Sequence, residues 1–67
     1  MFIELTSIFG HKRLLINSKS ILYAEETKHG TRIQYENGDE EVMESYEQVK
    51  ELIKNEVAAE RGYWNGD

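Results

Sequence analysis

The sequence predicts an α+β domain: an antiparallel sheet of about five short strands, curled as a meander, with one C-terminal helix packed on its apolar face. Three observations carry that prediction. Asn37-Gly38 lies between Thr31-Arg32-Ile33-Gln34-Tyr35 and Glu41-Val42-Met43. A type I′ hairpin turn needs φ > 0 at both central residues, and Asn followed by Gly tolerates this best. Before Ser45, short segments alternate apolar with polar residues; after it, the apolar period becomes helical.

The first strand is expected around Ile3 and Leu5, which share a parity, and the second around Leu14 and Ile16. A turn at Phe9-Gly10 pairs Leu5 with Leu14 and Ile3 with Ile16. Phenylalanine is a poor residue at φ > 0, so a slightly longer loop also fits. The polar run Asn17-Ser18-Lys19-Ser20 suits a second turn.

Ile21 and Tyr23 lead a third strand reaching about Thr27. Lys28-His29-Gly30 then fits a three-residue hairpin loop with glycine at the left-handed position. That loop sets Tyr23 opposite Tyr35 and Glu25 opposite Ile33. The Asn37-Gly38 turn sets Tyr35 opposite Glu40 and Ile33 opposite Val42. Ile21, Tyr23, Ile33, Tyr35 and Val42 should therefore face inward, with Glu25 and Glu40 sharing their parity near strand ends. Ala24, Glu26, Arg32, Gln34, Glu41 and Met43 should face outward, with Leu22 as the main apolar exception.

Tyr46, Val49, Leu52, Ile53 and Val57 recur at helical spacing and predict a helix over about 45–61. Ser45 and Gln48 form a capping-box signature, Glu47 suits the first turn, and Gly62 is a natural stop after Arg61. Residues 1–62 thus read as one domain. The tail 63–67 carries Tyr63 and Trp64 between glycines. It is expected to fold back, to dock on a partner, or to be disordered.

A chain of 67 residues buries only about 60% of its unfolded surface, so little stability is held in reserve. There is no cysteine, and hence no disulfide, thiolate ligand or cysteine nucleophile. His11 and His29 lack ligand-like spacing, so no metal or other cofactor is expected. With 13 acids against 8 bases the net charge is −5, which disfavours nucleic acid as a partner. No apolar run approaches a membrane span and the start lacks a signal-peptide pattern, so a cytoplasmic location is the expectation.

The sequence carries no enzyme signature. There is no G-x-S-x-G stretch, the serines have turn or cap explanations, and Gly10, Gly30 and Gly38 read as turn residues rather than a phosphate loop. The acids from Glu36 to Glu47 have no base among them. They serve solubility and protection of a sheet edge, or they attract a basic protein partner or imitate nucleic-acid phosphate. The residues singled out for partner binding are Glu40, Glu41, Glu44, Tyr63 and Trp64. A homodimer is a further expectation.

Over residues 1 to about 54 the chain resembles the FlbD-type small flagellar proteins, also called SwrD. The matching stretches are Phe2-Ile3-Glu4-Leu5-Thr6, Gly10-His11-Lys12, Leu15-Ile16-Asn17, Ile21-Leu22-Tyr23-Ala24-Glu25-Glu26, Thr31 to Gly38, and Glu44-Ser45-Tyr46-Glu47-Gln48-Val49. The resemblance implies a cytoplasmic, non-enzymatic protein linked to flagellar motor function in motile bacteria, and it assigns no site residues. The acidic fifth strand and the Tyr63-Trp64 tail depart from that pattern. Residues 16–53 are also similar to part of a LytTR-type DNA-binding domain, through Ile21-Leu22-Tyr23-Ala24-Glu25, Thr31-Arg32-Ile33, Asn37-Gly38 and Ser45. The complete domain is longer and basic in its contact loops, unlike this chain. The expected function is a small protein-interaction or scaffolding module. The alternatives are an acidic inhibitor or nucleic-acid mimic from a phage or mobile element, and a small DNA-binding regulator.

Overall fold

Two hairpin-built sheets meet edge to edge under one helix. The computed structural model describes the backbone of residues 2–62 and the side chains of residues 2–55. The elements are β1 (Phe2–Thr6), β2 (Arg13–Asn17), a 3₁₀ turn (Ser18–Ser20), β3 (Ile21–Glu26), β4 (Thr31–Tyr35), β5 (Gly38–Val42) and α1 (Tyr46–Gly62). β1 pairs with β2, and β3-β4-β5 form a meander; all pairings are antiparallel. The expected single sheet is thus two, joined by a bridge between Ser7 and Val42. The Met43 N–H donates to the Thr6 carbonyl at 2.8 Å, and the Ile8 N–H to that of Glu41 at 3.1 Å.

The first hairpin has the expected register, Leu5 opposite Leu14 and Ile3 opposite Ile16. Its turn is longer than Phe9-Gly10. The Ser7 N–H reaches the Lys12 carbonyl at 2.8 Å, and the positive φ angles fall on Gly10 (73°) and His11 (55°). Phe9 is spared the left-handed region, and its N–H donates to Ser7 Oγ at 3.0 Å. Asn17 then caps the 3₁₀ turn, its side chain accepting from the Lys19 N–H at 3.0 Å.

The second hairpin departs from strict alternation. Ile21 lies opposite Tyr35, but Tyr23 lies opposite Gln34 and Ala24 opposite Ile33, with a bulge at Leu22. Tyr23 is therefore turned out, 53% exposed, and the partly buried Ala24 takes the inward position. The physical reason lies one residue further on. Unbroken alternation would set the Glu25 carboxylate opposite Ile33, which is fully buried. The extra residue moves Glu25 outward to face Arg32 instead. The connecting loop is Thr27–Gly30 rather than three residues, closed by the Thr27 N–H on the Gly30 carbonyl at 3.0 Å.

The third hairpin turns at Glu36-Asn37, not Asn37-Gly38. Gly38 opens β5 opposite Tyr35, and Ile33 faces Glu40 while Thr31 faces Val42. The shift is two residues, so the same side chains face inward. What it gains is a junction at Val42. Thr31 is fully buried beside it and donates its hydroxyl to the Glu44 carbonyl at 2.8 Å. Gly30 lies so close to the Val42 carbonyl that no Cβ could fit.

The core consists of Ile3, Leu5, Ile16, Ile33, Val42 and Val49. α1 lies across β1 and β3, with Val49 buried and Leu52 and Ile53 partly so. The capping box forms as expected. The Gln48 N–H donates to Ser45 Oγ at 3.1 Å and the Ser45 N–H to Gln48 Oε1 at 2.8 Å.

Candidate interaction surface

The acidic residues singled out from the sequence do not share one face. Glu40 has inward parity opposite Ile33 and is partly buried, close enough to Tyr35 to act on its ionisation. Burial first, and the Glu40 charge second, push the Tyr35 phenol above its ordinary range. Glu41 lies on the outer face, where its carboxylate accepts from the Thr27 hydroxyl at 2.7 Å. The Glu44 carboxylate is turned to β1, accepting from the Thr6 N–H at 2.8 Å and the Thr6 hydroxyl at 2.9 Å. Glu41 and Glu44 are thus both tied to the fold, Glu44 through both its oxygens. Tyr63 and Trp64 lie outside the described residues.

The outer face of the three-stranded sheet carries one group of exposed residues, while Phe2, Phe9 and Leu15 are exposed on the first hairpin. Register places Tyr23, Gln34 and Asp39 in one cross-strand row and Glu25, Arg32 and Glu41 in the next. The Arg32 guanidinium lies 3.9 Å from Glu25 and 3.6 Å from Asp39. These are half-exposed pairs, each contributing well under about 1 kcal/mol to stability. Their effect is to hold one cation among three carboxylates and leave the face acidic. Gln34 is pinned by its amide to the carbonyls of Tyr35 and Gly38, both at 3.2 Å.

At the rim of this face, the bulge turns two adjacent apolar side chains outward, Leu22 at 62% and Tyr23 at 53% exposure. β3 has β4 on one side and no hydrogen-bonded strand on the other among the described residues. Leu22 also borders an open groove of about 590 Å³ with Lys19, Ser20, Tyr35, Glu36 and Asn37. An exposed apolar pair on a sheet rim, with Asp39 in its cross-strand row and Glu25 and Glu41 in the next, can take up an apolar or aromatic anchor flanked by basic side chains.

Sequence reading missed Leu22, Tyr23, Glu25 and Asp39 as a group, because the group exists only through the bulge. Two signals pointed to it: Leu22 as an apolar residue on the expected polar face, and Glu25 on the expected apolar one.

No helix of the described residues is long and apolar enough to cross a membrane. No protein-family model, curated protein or solved structure matches the chain.

Proposed function

We propose that this chain is a small non-enzymatic protein-interaction module acting in the cytoplasm, and that it engages a basic protein partner through the outer face of β3-β4-β5. The observation that carries the reading is the bulge at Leu22, which sets Leu22 and Tyr23 in solvent beside Glu25, Asp39 and Glu41. Aromatic anchors within a polar rim are a common composition of such contacts. The role is compatible with what the resemblance to the small flagellar proteins implies, a cytoplasmic, non-enzymatic protein linked to flagellar motor function in motile bacteria.

The test is affinity capture from the source cell with four baits: the intact chain, Leu22→Ser/Tyr23→Ser, Glu40→Lys/Glu41→Lys, and a truncation after Arg61. The expected result is a basic partner held by the intact chain and lost with Leu22→Ser/Tyr23→Ser. Recovery of the same partners by all four baits would overturn the reading. A partner that binds nucleic acid, released by modest salt and by the lysine variant alone, would favour the phosphate-mimic alternative.

A further inference from the structure

Both histidines of the chain border the same open groove, although nothing in their spacing announces it. His11 comes from the β1-β2 loop and His29 from the β3-β4 loop, and with Ile8 and Met43 they line a single open groove of about 330 Å³. The loops that present them are anchored. The Thr27 hydroxyl accepts from the N–H groups of His29 (3.3 Å) and Gly30 (3.1 Å), and Gly30 packs against the Val42 carbonyl, one residue before Met43. Ile8 and Met43 are tied across the β1-β5 junction by the hydrogen bonds described above. His11 takes φ = 55°, a left-handed conformation found at no other non-glycine residue among those described.

The donor set at this groove is two imidazoles and one thioether sulfur, with no thiolate or carboxylate among them. Among the described residues no group of three His, Cys, Asp or Glu is placed to hold a metal ion, so a hard dication finds no carboxylate shell here. Glu44 borders the adjoining depression with His11 and Met43, but its two oxygens already accept from Thr6. Zinc prefers four ligands, commonly with thiolate or carboxylate among them. A soft monovalent ion matches thioether and imidazole without needing an anionic ligand, and cuprous copper is the biological ion of that character.

We propose that His11, His29 and Met43 form a binding site for Cu(I). Met43 is 47% exposed and both histidines are exposed, so an ion can enter without the fold opening.

The test is anaerobic titration of the full chain against a chromogenic Cu(I) chelator, with ascorbate present. The expected result is withdrawal of one equivalent of copper, with the ring resonances of His11 and His29 shifting together by NMR. His11→Asn keeps a residue that tolerates positive φ while removing the imidazole. That variant, His29→Ala and Met43→Leu should each weaken binding at least tenfold, with circular dichroism and melting temperature unchanged. Failure to withdraw copper would overturn the proposal. So would unaltered binding in the double variant His11→Asn/His29→Ala, or tighter capture of Zn(II) than of Cu(I) by the same residues. Unaltered binding in Met43→Leu would overturn the three-ligand site.

Discussion

The Glu44 carboxylate grips Thr6 twice, at the backbone N–H (2.8 Å) and at the hydroxyl (2.9 Å), across 38 residues of sequence. This clamp joins the start of the helical segment to the end of β1, beside the bridge that links the two sheets. Charge-assisted hydrogen bonds in a partly buried setting contribute more than neutral surface ones. Glu44→Ala removes both bonds and leaves the Thr6 N–H and hydroxyl unpaired. The expected cost is about 2 kcal/mol, or a fall in melting temperature of about 10 °C for a domain of this size. Glu44→Gln should cost about half as much, since an amide can still accept from the N–H and donate to the hydroxyl. Melting curves of the two variants check this, and equal curves for Glu44→Ala and the parent would remove the clamp from the account.

The glycines separate by what surrounds them. Gly10 and Gly38 have positive φ (73° and 156°) but open space where a Cβ would stand. Gly38→Ala should therefore cost only backbone strain, about 1–2 kcal/mol. Gly30 has φ = 155° and the Val42 carbonyl in the way, with the Met43 backbone at 3.0 Å. Gly30→Ala must displace the junction between the sheets and should cost more than about 3 kcal/mol. Urea midpoints for the two variants give the comparison; similar midpoints would mean that the β3-β4 loop does not pack on Val42.

The bulge at Leu22 makes Tyr23 and Ile33 behave oppositely. Tyr23→Ser alters a side chain in solvent and should change stability by less than about 0.5 kcal/mol. Ile33→Ala empties a fully buried position and should cost about 2–5 kcal/mol. Chemical denaturation of both variants distinguishes this arrangement from strict alternation, in which Tyr23 would be a core residue and its loss severe.

These positions also explain what was legible beforehand. Parity is a local property, so Ile3 with Leu5 and Leu14 with Ile16 were readable as pairs, Ile33 and Val42 as inward, and Ser45 with Gln48 as a cap. Strand existence, and facing outside the second half of β3, followed from side-chain chemistry within a few residues. Register was less legible, because it is decided by contacts far away in sequence. Val42 slides two residues to sit between Thr31 and Ser7, a gain invisible from the Asn37-Gly38 pair itself. The bulge required weighing a buried Glu25 against one unpaired residue, a tertiary comparison. His11 and His29 border one groove from two different loops, a juxtaposition that a spacing rule does not show.

Tyr35 offers a titration readout of the inner face near the sheet's end. Its native ionisation lies above the ordinary value of 10.0, first because the phenol is partly buried and then because Glu40 is negative. A raised value means that the folded chain holds its proton where the unfolded chain has lost it. Stability from this group is therefore complete below pH 10, falls as pH rises past the unfolded value, and is gone above the native one. Ultraviolet difference titration of the parent against Tyr35→Phe should isolate a tyrosine ionising later than an unburied one. Glu40→Gln should bring that ionisation part of the way back, because burial, the larger cause, remains. A Tyr35 that titrates in the ordinary range in both backgrounds would show that its phenol is neither buried nor within reach of the Glu40 charge.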